Sequence, residues 1–194
     1  MRWLGKLGWV LVALTLVGAE AVADTPQVSY RYLDGGYQKM TGDLGPDGFF
    51  LRGSYGFHER FYVAGGVDQL EKSGVKQQVM SLGGGMVMPV DSRTDVYGEL
   101  RLVRAKITVK MPWIGSVSDS DSGFQVEAGG RMMLSPQWEA RAFLRYMDVG
   151  DADETFIGGQ GVYRLHEQFA LHAGASRLMD ASEFLFELGG RFNF

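Results

Sequence analysis

The chain has no cysteine, which excludes disulfides, thiolate metal sites and cysteine nucleophiles. Proline is scarce, at 5 residues, and histidine scarcer, at 3, so little is available for imidazole acid–base chemistry or metal ligation. A broad basic face is missing too. The formal net charge is -4 and the pI is near 5.4, so nucleic acid is not an expected partner. Past the N-terminus, no apolar run reaches the roughly 20 residues a helix needs to cross a bilayer, so any membrane role must be built from strands.

Glycine, by contrast, is abundant. There are 28, spread along the chain and not gathered in a linker, beside an aromatic content of 12%. Closely packed strands with girdles of rings account for that pairing better than helices do. The N-terminus is also informative. Arg2 and Lys6 precede an apolar stretch from Leu7 to Val17, and Ala21-Val22-Ala23 offers a small-x-small cleavage site. This is the pattern of a secretory signal peptide over residues 1–23, with the mature domain at 24–194.

After residue 24 the apolar residues keep a period of two. Phe184, Phe186, Leu188, Gly190, Phe192 and Phe194 share one face, against Leu185, Glu187, Gly189, Arg191 and Asn193. Phe124, Val126, Ala128, Gly130, Met132 and Leu134 oppose Gln125, Glu127, Gly129, Arg131 and Met133 in the same way. Successive side chains of a strand point to opposite faces, so each segment is greasy on one side and polar on the other. A soluble sandwich or binding barrel would turn the greasy side inward; a membrane barrel turns it to lipid and fills its lumen with charge.

Strand length favours the membrane. The segments run near 27–38, 48–57, 61–69, 77–90, 94–107, 123–134, 138–147, 156–165, 169–177 and 184–194. A tilted membrane strand needs roughly 9–11 residues, whereas globular strands cluster at about 5–6. Short connections (58–60, 91–93, 135–137, 166–168) alternate with longer ones near 40–47, 70–76, 110–122, 148–155 and 178–183, the asymmetry of periplasmic turns and outer loops. The prediction is an all-β, closed antiparallel up-and-down barrel of about ten strands, with eight as the alternative because the first strand is weakly patterned after Leu33. In the fifth strand Glu99 and Arg101 share one phase, and Arg104 and Lys106 the other, which implies a bulge or a strand rising above the lipid. Glycine pairs such as Gly83-Gly84-Gly85 and Gly129-Gly130 would ease curvature and make room for long lumen side chains.

These residues together resemble the small outer-membrane β-barrel proteins of Gram-negative bacteria, over essentially all of the mature chain. The sharpest likeness is Phe186-Glu187-Leu188-Gly189-Gly190-Arg191-Phe192-Asn193-Phe194. The resemblance implies that Phe186, Leu188, Phe192 and Phe194 form the signal read by the barrel-assembly machinery, with Gly190 departing from the pattern. It further implies periplasmic chaperones during biogenesis, an outer-membrane location among lipid and lipopolysaccharide, and a monomer. The opening Val28-Ser29-Tyr30-Arg31-Tyr32-Leu33-Asp34-Gly35-Gly36-Tyr37 is similar to the first strand of small porin-like barrels.

The predicted register turns Arg31, Arg52, Arg101, Arg131, Arg141, Arg145, Arg164 and Arg191 into the lumen, with Asp68, Glu99, Glu127, Glu139 and Glu187. Small barrels are filled by side chains, so these would interlock as ion pairs; the alternative is a narrow water path whose arginines favour anions. No catalytic residue, cofactor or metal site is expected. His58 and His166 fall in turns, and His172 is expected to be a hydrogen-bonded lumen residue. The acidic stretches 148–154 and 119–121 read as solvated tips without a calcium-loop pattern. The expected function is an integral outer-membrane barrel with a structural, adhesive or minor channel role.

Overall fold

The computed structural model describes residues 27–42, 45–111, 113, 115–181 and 183–194. The predicted signal peptide and its cleavage site lie outside the described residues. Strands β1 (Tyr32–Met40), β2 (Asp47–His58), β3 (Phe61–Lys72), β4 (Val75–Pro89) and β5 (Thr94–Met111) are followed by β6 (Gly115–Met133), β7 (Trp138–Val149), β8 (Ala152–Arg164), β9 (Phe169–Leu178) and β10 (Phe184–Asn193). Each pairs antiparallel with its sequence neighbour, and β1 pairs with β10 to close the barrel. The closing register runs from Tyr32 opposite Asn193 to Met40 opposite Leu185, which leaves β1 no free edge. Ten strands replace the eight-strand alternative.

Alternation decides which way each side chain points. In β10 Phe184, Phe186, Leu188 and Phe192 are exposed, while Arg191 is buried. The same phase exposes Leu82 at 71%, Leu102 at 74% and Leu188 at 65% on the outer wall. Such a continuous apolar belt would aggregate in water and belongs against hydrocarbon, so the soluble alternative fails. Rings edge the belt. Phe57, Phe61, Trp138 and Phe169 lie beside the short turns; Tyr37, Phe49, Phe124 and Phe184 lie towards the other rim.

The expected contrast of turn and loop takes a different form. The connection near 70–76 is a tight turn at Ser73 and Gly74, whose φ values of 51 and 82 are both positive, as a two-residue hairpin of this hand requires. The connection near 148–155 closes similarly after Val149, with Gly150 at φ 63. Most of the 110–122 segment is paired: β5 is 18 residues long and β6 is 19, in unbroken register from Thr94 opposite Met132 to Met111 opposite Gly115. The phase change in the fifth strand is therefore no bulge. Arg104 and Lys106 continue the outward face of Leu100 and Leu102 where the ribbon has left the lipid. A register irregularity does occur in β2, between Gly56 and His58.

Candidate functional site: the charged lumen

Two clusters occupy the interior. Near the periplasmic end, Glu139 receives Arg131 through Nε at 2.8 Å and Nη2 at 2.6 Å. Arg191 Nη1 lies 3.5 Å from the same carboxylate, and Arg164 Nη2 lies 3.8 Å away. Arg191 also grips Asp34 in a two-point fork, Nε to Oδ1 at 2.7 Å and Nη2 to Oδ2 at 2.9 Å. Rings cap these guanidinium planes: Arg131 lies over Tyr30 at 4.5 Å, and Arg191 over Tyr32 at 4.1 Å. A planar delocalised cation suits both the fork and the ring face, which lysine would not.

The second cluster lies towards the outer mouth. Glu127 is 1% exposed and accepts from Arg141, from Arg145 Nε at 2.8 Å and from the Tyr97 hydroxyl at 2.7 Å. Arg141 Nε donates in turn to Tyr97 Oη at 2.7 Å. Across the lumen, Arg52 joins Asp68, through Nε at 3.0 Å, to Glu187, through Nη2 at 2.7 Å, and lies over the Phe50 ring at 4.5 Å. Arg101 Nε sits 2.6 Å from Glu99 Oε1, close enough to pair in charge but off the angle of a hydrogen bond. At the mouth Glu154 turns inward from β8.

Among the residues predicted to face the lumen, Arg31 does not. It precedes β1 on the outward phase, is exposed, donates from Nε to Gly56 O at 2.9 Å and lies over the outward Tyr55 ring at 5.3 Å. The physical reason is the β1 register: Tyr32, Asp34 and Gln38 turn inward, so odd positions face out. The sequence reading missed the lumen acid Asp34, on that same strand, and took Glu154 for part of a solvated tip. Tyr97, Gln38 and Gln160 were also missed, since an uncharged lumen residue carries no signal beyond its phase.

His172 is 2% exposed; its Nδ1 lies 2.9 Å from Gln160 Nε2 and its ring 5.7 Å from that of Phe50. Gln160 Oε1 stands 3.5 Å from Arg191 Nη2, which links this side to the lower cluster. No group of acids and histidines suited to a metal occurs among the described residues.

The family described as outer membrane protein beta-barrel domain matches residues 9–192. No curated protein matches the chain. Solved structures of outer-membrane barrels resemble the chain at low identity. Neisserial surface protein A matches at 14% identity and a TM-score of 0.49, covering 86% of this chain and 98% of its own. The attachment invasion locus protein Ail of Yersinia pestis matches at 18% and 0.47, covering 84% and 95%. OprG of Pseudomonas aeruginosa matches at 14% and 0.46, covering 84% and 94%. With the family matched over almost its whole length, and with a closed ten-stranded barrel wrapped in an apolar belt, this chain belongs to the outer membrane protein β-barrel domain family and resides in the cell outer membrane.

Proposed function

We propose that this protein is a closed, monomeric outer-membrane barrel whose interior is a structural ion-pair network and whose work is done at its outer face. One observation carries the reading: the charges that would have to line a water path are spent on each other. Glu127, Glu139, Arg131 and Arg191 are between 1% and 3% exposed. A selective pore instead needs charged groups facing water, bound weakly enough for an ion to enter and leave. Catalysis forms no part of the reading, and no cofactor is invoked.

The outward face of β10, with Phe186, Leu188 and Phe192, and Phe194 just past its end, is proposed to be the strip read by the barrel-assembly machinery, delivered by periplasmic chaperones. Phe194 also fastens the closing seam. Its amide donates to Arg31 O at 3.2 Å, and its ring stacks 6.4 Å from Tyr55 and lies 6.3 Å from Phe192.

The test is single-channel recording of refolded protein in planar bilayers, with folding checked by heat-modifiable gel migration. The closed barrel is silent. Steady, anion-selective openings that vanish in Arg141→Gln or Arg145→Gln would replace this reading with a narrow anion pore.

A further inference from the structure

The alternation that builds the barrel wall inverts its polarity above the membrane. Through the lipid, β5 turns Leu100 and Leu102 outward and Glu99 and Arg101 inward. Beyond Leu102 the outward positions are Arg104, Lys106, Thr108 and Lys110, while those on the lumen side are Val103, Ala105, Ile107, Val109 and Met111. From Leu102 to Met111 the strand runs on for roughly 30 Å, at about 3.3 Å per residue. Its neighbours follow it. The register sets Val75 of β4, Val109 and Val117 of β6 in one row, then Gln77, Ile107 and Asp119, then Val79, Ala105 and Asp121.

This part of the sheet is a single layer. No element among the described residues covers its lumen-side face, where a soluble sheet would bury a core. Val117 is 56% exposed and Ile107 48%, and Val75, Val109 and Met111 are open as well. Lipid does not cover the row, because the side turned to the bilayer is the other one, with Arg104 and Lys106. An apolar row left uncovered in water marks an interaction surface. At its flank Pro46, Leu70, Lys72 and Val75 border a hollow of about 290 Å³. The charge beside the row is of one sign. Asp119 and Asp121 stand next to it on β6; neither has an ion-pair partner among the described residues, and Asp119 accepts from the Ser120 amide at 2.9 Å. On β3 to β6 the only cation of this phase beyond Arg101, among the described residues, is Lys72, which donates to Gly45 O at 3.3 Å.

We propose that this face docks a cationic amphipathic segment of a partner protein, its apolar side chains on Val75, Ile107, Val109 and Val117 and its basic ones on Asp119 and Asp121. Charge selects the occupant. A second copy of this chain would bring the same uncompensated acids, and a net charge of -4, against them. A basic segment supplies the missing counter-charge instead. The three strands present a face about 10 Å across, which matches the diameter of one helix. The valines and Ile107 form the centre that loses its water, and the acids form a rim that steers encounter. Affinity therefore rests on the first group and salt sensitivity on the second. The inference rests on the reading that the protein works at its outer face, and not on the closed lumen.

The test is titration of the folded protein in phosphatidylcholine nanodiscs, against empty discs, with two synthetic helical peptides. Both carry the same leucine face; one has lysine and the other glutamate on its polar face. Wild type binds the leucine–lysine peptide well above the empty-disc level, and more weakly as salt rises. Ile107→Ser/Val109→Ser/Val117→Ser binds it roughly tenfold more weakly, or worse. Asp119→Asn/Asp121→Asn binds it about threefold to tenfold more weakly and loses most of the salt dependence. The asparagine variant keeps the apolar face, so it decides the matter if the serine variant does not fold. Ser116→Ala/Ser118→Ala, on the opposite face of β6, leaves binding unchanged. Wild-type binding no greater than that of empty discs overturns the proposal. So does equal affinity for the leucine–glutamate peptide, or undiminished binding by the serine or asparagine variant. Self-association of wild type that the serine variant abolishes overturns it in favour of a second copy. A barrel that conducts yet binds the peptide removes the closed-lumen reading alone; a silent barrel that binds neither peptide removes this proposal alone.

Discussion

Inside the barrel the largest rings stand opposite glycines. Phe50 faces Gly36, Tyr62 faces Gly85 and His172 faces Gly189 across their strand pairs. Gly129 has rings on both sides, Tyr97 from β5 and Phe143 from β7. The concave side of a small barrel is crowded, and a bare Cα lets a neighbouring ring lie flat across the strand. A Cβ at Gly129 would fall 2.7 Å from Tyr97 Oη and closer still to Ala142 O, a backbone atom that cannot move aside. At Gly98 a Cβ meets nothing within 4 Å. Gly129→Ala therefore costs about 1–3 kcal/mol, the usual range for overpacking, whereas Gly98→Ala is neutral or slightly stabilising. Urea unfolding in lipid vesicles, followed by Trp138 at the belt, measures both; equal effects would refute the packing argument. The sequence showed that glycine pairs make room for lumen side chains. It could not show which ring each receives, because that depends on register between strands distant in sequence.

At the scale of the strand, period-two alternation made β2, β6, β7 and β10 legible with the correct faces. It failed on Arg31 because a single residue sets phase only when its strand is anchored, and β1 is anchored by pairing with β10. It also truncated the β5–β6 ribbon. Serine, aspartate and glycine over 115–123 lack strand propensity, and what holds them extended is their partner, Met111 back to Val103. A prediction belongs to β10. Removing Phe194 takes away its amide bond to Arg31 O and its ring contacts with Tyr55 and Phe192, at the seam that closes last in chain order. The truncated protein is expected to reach the outer membrane at a yield several-fold below wild type, by quantitative blotting of membrane fractions. Normal yield would remove the assembly role proposed for this face.

In the whole molecule, charge and apolar surface have exchanged the places they hold in a soluble protein. The belt contributes stability by meeting lipid, so the interior is left to be organised by ion pairs. Pairing of this kind need not stabilise more than an apolar filling would, because each buried charge loses its hydration; breaking a pair, however, strands the partner. Glu127 is the sharpest case, since one carboxylate serves Arg141, Arg145 and Tyr97. Glu127→Gln leaves two guanidinium groups without the carboxylate they share and is expected to cost about 3–5 kcal/mol in vesicle unfolding. Adding Arg141→Leu to Glu127→Gln removes one stranded cation and is expected to recover part of that loss, a coupling that a double-mutant cycle measures directly. Additivity of the two changes would mean that these residues act independently. The interior would then be a water-screened pore lining, and the closed-barrel reading would fall with it.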